Sequence, residues 1–240
     1  MLTCMRNKHS NDVYNAMLGA AFAVTGLPDL HLVATSFGPV FDGIFLKEDP
    51  KEVIANHNSS AYDFFKSLDV MIGVCEFEGS ILVRIMELIQ RYISFNVTEG
   101  ISSDFMCKHI FPQLAGDHYN NDTTIAQAIC KKYSSKGSLQ EQGMKAVDFY
   151  EDLFFYSPAV QSINAHAFNN HKTKQFQYLS RRRSVFSLPL ESYPWFKGSG
   201  HLSELPFLFP MISNVTRSSD DDISLSLAMM KYCSNFAKTG

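Results

Sequence analysis

No stretch of eighteen consecutive apolar residues occurs in the sequence, so the usual signature of a membrane-spanning helix is missing. Basic residues are not in excess either. Twenty-one Lys and Arg stand against 24 Asp and Glu, and the net charge of −3 with a pI near 6.2 gives no general attraction to nucleic acid or anionic lipid. The five cysteines, Cys4, Cys75, Cys107, Cys130 and Cys233, contain no CxxC, which removes zinc-site spacing, and their odd number leaves at least one unpaired. Internal repeats and low-complexity linkers are absent, so the chain reads as one continuous body. With 240 residues and 45% hydrophobic content it can bury a sizeable core.

What is present is punctuated more sharply. The segment "AMLGAAFAVTGLP" (16 to 28) follows Arg6, Lys8 and His9 and has the length of a signal-peptide apolar region. Ser10-Asn11-Asp12, placed before Val13, Met17, Ala20, Ala21 and Val24, makes it read instead as a capped amphipathic helix from Asp12 to Thr25, ended by Gly26 and Pro28. A second helix start is expected at Asp49-Pro50. Four Asn-x-Ser/Thr sequons, at Asn58, Asn96, Asn121 and Asn214, point to a chain of the secretory pathway.

The run "SLDVMIGV" (67 to 74), ending at Cys75, is apolar almost throughout, as a central parallel strand covered on both faces would be. From Thr123 to Phe168 the apolar period turns helical, with a break at Pro158; "KQFQYLS" (174 to 180) then alternates as a strand. The final "DDDISLSLAMMKYCSNFAKTG" opens on three carboxylates and closes on Lys231 and Lys238, matching a helix dipole, with Leu225, Met229, Tyr232 and Phe236 as its buried stripe. Strand, long helical excursion, strand and helix make an α/β layout. In such folds ligands gather beyond the carboxyl ends of the strands.

Two residues at strand-to-loop transitions could carry chemistry. Glu78 follows the predicted buried strand, and His201 follows the turn "GSG" in "FKGSGHLSELPFLFP". Taken singly, each has a plain reading: a solvated loop glutamate and a turn or core histidine. Taken together they could be a general base and the carboxylate that fixes its tautomer. His166 and His171 read as surface or capping histidines, since no carboxylate or cysteine shares their helical face at ligand spacing, and no metal site is expected. "SRRRS" (180 to 184) reads as a solvated loop, and Met229-Met230 and "FYEDLFF" as core or an oligomer-forming face.

Several ordered segments resemble the type-B carboxylesterases and cholinesterases, the α/β-hydrolase family that also contains the non-catalytic neuroligins. "SFGPVFDGIFL" is similar to the family's Phe-x-Pro-Val-x-Asp-Gly-x-Phe-Leu, "MIGVCEFEGS" to the strand and loop of its triad acid, and "FYEDLFFYSPAVQSINAH" to the helix pair that follows. "GSGHLSELPFLF" is similar to Gly-x-x-His-x-x-Glu-Leu-x-Phe-x-Phe around the triad histidine, and "MMKYCSNFAKTG" to the closing helix. The resemblance implies that Glu78 and His201 stand at the acid and histidine positions of a Ser-Glu-His triad, and that residues 1–240 are a partial carboxylesterase type-B domain, the C-terminal part of an α/β-hydrolase fold with an incomplete central sheet flanked by helices. The family's nucleophile sits in Gly-x-Ser-x-Gly, and the sequence contains no such motif. The opening segment resembles one that lies after that elbow, so the chain is expected to begin beyond it. It is then expected to expose the edge of a buried strand and to leave Cys4 as half of a disulfide whose partner lies upstream.

Within the matched motifs, Cys75 stands where the family usually has asparagine, Phe77 where a small or acidic residue is common, Leu202-Ser203 where glycine-aspartate is frequent, and Cys233 where tryptophan is usual. The function so implied is that of a carboxylesterase-like fragment, inactive by itself, whose parent takes a small-molecule carboxylic ester; the alternative is a neuroligin-like cell-adhesion ectodomain. Neither needs a cofactor or nucleic acid. A homodimer or a cell-surface protein partner and a secreted or cell-surface location follow from the same resemblance.

Overall fold

The computed structural model describes residues 6–13, 15–16, 42–88, 90, 93–184, 193–209, 211 and 218–240. Of the first predicted helix only residues 12–13 and 15–16 fall among these, and they are helical; the remainder lies outside the described residues, as do Cys4, Asn214 and most of "SFGPVFDGIFL". Helix α1 (Pro50–Ala55) begins where Asp49-Pro50 predicted, with the Asp49 carboxylate accepting the Lys51 N–H at 2.8 Å. Helix α2 (Ser60–Lys66) is capped by Ser59, and strand β1 (Val70–Cys75) leads into a 3₁₀ turn (Glu78–Ser80) and helix α3 (Ile81–Leu88). Helices α4 (Ser103–Phe105) and α5 (Phe111–Tyr119) are joined through a π-helical turn (Met106–Ile110). Helix α6 (Thr123–Tyr133) follows, then α7 (Leu139–Glu151), which runs through a second π turn (Asp152–Tyr156) into α8 (Ser157–Ala167). Strand β2 (Gln175–Ser180), the short α9 (Leu205–Leu208) and α10 (Asp220–Thr239) complete the order.

β1 and β2 pair in parallel, Val70 with Gln175 through to Cys75 with Ser180, so both strands end at the same edge. Parallel pairing requires a crossover, and α3 to α8 supply it. α8 packs on both strands, and α10 lies along Met71, Phe176 and Tyr178. β1 is less covered than its composition predicts. Only Cys75 is fully buried, because among the described residues the strand has a single neighbour. The predicted stripe of α10 is likewise only half-buried, and Tyr232 is 68% exposed. A groove of about 590 Å³ runs between this helix and the sheet, which keeps the stripe from closing on it.

The main core forms elsewhere, where α3, α5 and α7 meet the segment around Trp195: Leu82, Met86, Ile101, Phe111, Val147 and Phe196 are almost wholly buried there. Both π turns have the same cause. Each ends two residues before a proline, Pro112 or Pro158, and in each the next N–H bonds five residues back, Phe111 to Met106 O and Ser157 to Asp152 O. A proline offers no N–H and its ring crowds the carbonyl four residues earlier, so one residue is inserted into the helical ladder instead. The break predicted at Pro158 is thus a bulge ahead of it, with the proline in the first turn of α8.

Cys107 and Cys130 form a disulfide tying the first π turn to α6 across 23 residues, a pairing that spacing alone did not reveal; Cys75 and Cys233 are free. His166 is corrected from a surface residue to a fully buried one, with Nε2 2.7 Å from Leu68 O, whereas His171 is exposed. The "SRRRS" arginines are exposed, yet Arg181 pairs with Glu76 at 2.9 Å and Arg182 with Asp222 at 2.7 Å, which anchors the capped start of α10.

At the end of α7 the Glu151 carboxylate is buried, and its Oε2 has no hydrogen-bond partner among the described residues. Burial first, then the charges of Asp148 and Asp152, pushes its pKa from an ordinary 4.5 up to about 8. The unfolded chain releases this proton near 4.5 while the folded protein keeps it, so stability falls as pH rises from 4.5 to 8 and levels off above. Glu151→Gln is therefore expected to raise the thermal midpoint at pH 8 and to change it little at pH 4.5, measured by scanning calorimetry across that range. The backbone at Gly79 touches α7 so closely that a Cβ there would lie 1.9 Å from Val147 O and 2.7 Å from Glu151 N. Since both are main-chain atoms of a helix, Gly79→Ala is expected to cost about 1–3 kcal/mol or more, read from the urea midpoint.

Candidate active site

The carboxyl edge of the sheet is where the two singled-out residues meet. β1 ends at Cys75, and the Tyr156 hydroxyl, 3.3 Å from Cys75 O and 3.2 Å from Glu76 O, holds the chain as it leaves the sheet. Glu76 N–H still donates to Ser180 O at 2.9 Å, and Phe77 N–H donates to Ser199 O at 2.9 Å. The sheet's hydrogen bonding is thus handed on from β2 to the segment before His201, with Phe77 bridging in parallel to Gly200. Gly198 has φ +140°, and a Cβ there would lie 2.3 Å from the Phe77 ring, so only glycine lets the strand end and the turn close together.

Glu78 opens the 3₁₀ turn with its carboxylate folded back and buried. Oε1 accepts the Cys75 N–H at 2.6 Å, and Oε2 lies 2.5 Å from His201 Nδ1. A buried carboxylate needs such partners, and because it only accepts, the proton of this bond belongs to Nδ1. His201 is also held through its main chain, where its N–H donates to Ser80 Oγ at 2.9 Å. Its imidazole lies beside the Phe155 ring, centroids 5.2 Å apart, and the side chain keeps 21% exposure. With Nδ1 committed to the acid, Nε2 is the nitrogen left to exchange a proton with a reacting group.

Beyond His201 the chain reverses through Leu202 at φ +67°, and Ser203 N–H donates to Gly200 O at 3.0 Å. Glu204, one residue before α9, reaches back to the sheet, where its Oε2 accepts from the Cys75 thiol at 2.7 Å. Burial, then the hydrogen bond to Glu204, pushes that thiol well above the ordinary cysteine range.

The structure therefore brings Glu78 and His201, 123 residues apart, into direct contact. The sequon asparagines Asn58, Asn96 and Asn121 are each exposed. Ser80, Phe155, Tyr156 and Glu204 were not singled out from sequence. Their roles rest on partners 46 to 129 residues away for Phe155, Tyr156, Ser80 and Glu204, for which no local pattern exists. Among the described residues, no group of three or more His, Cys, Asp or Glu side chains is placed to hold a metal ion.

The sequence matches the carboxylesterase family across residues 1–240. It is 29% identical over 217 residues to human bile salt-activated lipase, covering 89% of this chain and 26% of that protein. It is 23% identical over 251 residues to mouse neuroligin-3, covering 100% of this chain and 27% of the relative, and 25% identical over 242 residues to the acetylcholinesterase of Bungarus fasciatus, covering 100% and 36%. The chain thus spans between about a quarter and about a third of the length of these relatives. With its parallel strands, helical crossover and the match along its whole length, the chain belongs to the carboxylesterase family and carries part of an α/β-hydrolase fold.

Proposed function

We propose that Glu78 and His201 are the acid and the base of a Ser-Glu-His triad in a carboxylic ester hydrolase. The observation that carries this reading is the 2.5 Å contact from His201 Nδ1 to a buried carboxylate at the carboxyl edge of a parallel sheet. In the reaction, a serine hydroxyl attacks the ester carbonyl as His201 Nε2 takes its proton; Glu78 stabilises the imidazolium, which then protonates the departing alcohol. Water repeats the sequence on the acyl-enzyme. The 240 residues contain no Gly-x-Ser-x-Gly, so the nucleophile is supplied from outside them and the chain by itself is expected to hydrolyse nothing. The substrate class is a small-molecule carboxylic ester, and no cofactor enters the chemistry.

The same family match also fits a second reading, a non-catalytic adhesion ectodomain of the neuroligin kind. Neuroligin-3 aligns with the whole chain, and Cys75, Phe77 and Leu202, beside the proposed pair, differ from the residues that the family resemblance leads one to expect there. In that reading the partner is a cell-surface protein. Both readings place the protein outside the cell or on its surface, supported by the Cys107–Cys130 disulfide and the exposed sequons.

The readings separate in a full-length protein containing this chain. His201→Ala is expected to lower kcat/KM for an aryl ester by ~10⁴-fold or more with the fold intact by circular dichroism. A rate that does not change removes the hydrolase reading. When the protein is made in secretory cells, glycosidase digestion is expected to release glycans at Asn58, Asn96 and Asn121, and an Asn→Gln change at each to remove one mass step; a single unmodified mass would exclude this location.

A further inference from the structure

We infer that Cys75 is the positioning residue that keeps the histidine turn in register with the acid, through its thiol tether to Glu204. The inference rests on the reading of Glu78 and His201 as a working pair. His201 sits on a turn whose next residue, Leu202, holds φ +67°, a left-handed conformation that a leucine adopts only under restraint. The restraint comes from both sides of the imidazole. Ahead of it, the His201 N–H is fixed by Ser80 Oγ at 2.9 Å; behind it, Glu204 Oε2 is fixed by the Cys75 thiol at 2.7 Å.

Cys75 also supplies the 2.6 Å N–H bond to Glu78 Oε1. The last residue of β1 thus holds the acid by its main chain and the histidine turn by its side chain. The surroundings suit a permanent donor. The thiol is fully buried; Glu78 and Glu204 bring two carboxylates to it, Tyr156 faces its carbonyl from the second π turn, and Ser180 lies opposite it on β2. A thiolate there would meet like charges on two sides, so the sulfur keeps its proton and donates it rather than acting as a nucleophile.

The test reads the proton of the His201 Nδ1–H···Glu78 bond by NMR in a full-length protein containing this chain, as the rate at which its low-field resonance exchanges with water. Cys75→Ala is expected to speed that exchange about five-fold or more, the effect of losing one hydrogen bond, while Cys75→Ser, which restores a donor, keeps it near the parent rate. Glu204→Ala approaches the same tether from a partly exposed position and carries the test if Cys75→Ala does not fold; it is expected to match Cys75→Ala. The double variant is then expected to exchange no faster than either. Exchange in Cys75→Ala and Glu204→Ala as slow as in the parent, or Cys75→Ser as fast as Cys75→Ala, would overturn the inference. A Glu78→Gln control separates the two levels: if the low-field resonance survives it, the pair itself is refuted, whereas its loss there with no effect at Cys75 refutes only the tether.

Discussion

The two oxygens of one buried carboxylate organise the region that matters. Glu78 gives Oε1 to its own strand, at the Cys75 N–H, and Oε2 to a turn 123 residues away, at His201. Ionised groups are not buried without partners, so the cost of sinking this carboxylate behind the sheet edge is offset only if both bonds form together. The neighbouring contacts serve that requirement. Gly79 lets the acid turn press against the backbone of α7, and Gly198 lets the histidine segment lie under Phe77. Phe77, Ser199 and Gly200 extend the sheet's pairing to the turn itself.

The prolines reach this edge indirectly. Inserting one residue ahead of Pro158 rotates everything that follows by about a third of a turn relative to an uninterrupted helix. The π turn so formed carries Phe155, which lies against the His201 ring, and Tyr156, whose hydroxyl meets the carbonyls of Cys75 and Glu76. A restriction on one proline's backbone is thereby converted into aromatic walls and a strand clamp around the proposed pair. Pro112 makes the same bulge ahead of α5, and there the result is a disulfide anchor rather than a site wall.

Legibility followed the range of the forces involved. Caps and strands were readable because their causes lie within a few residues: Asp49 before Pro50, the three carboxylates at the start of α10, the apolar run of β1 and the alternation of β2. Burial was less so. His166 is polar and sits in the last turn of a helix, yet α8 turns it inward toward Leu68 O. Tyr232 belongs to the apolar stripe of α10, yet stands in water because the helix crosses the sheet above a groove. The arginines of residues 181–183 read as a solvated run, but the carboxylates that two of them pair with come from the acid loop and from α10.

Local chemistry in the sequence determined where α1, α6 and α10 begin, which two of the described segments are strands, that their order implies an α/β crossover, and that a carboxylate and an imidazole each follow a strand end or a glycine turn. Those features depend on neighbours in the chain, and neighbours are written there. Only the tertiary structure decided that Glu78 faces Nδ1 of His201, that Cys107 finds Cys130, and that Cys75 meets Glu204. Such pairings depend on the register of parallel strands and on a one-residue slip in a helix, distances set by packing across the whole fold rather than by any stretch of residues within it.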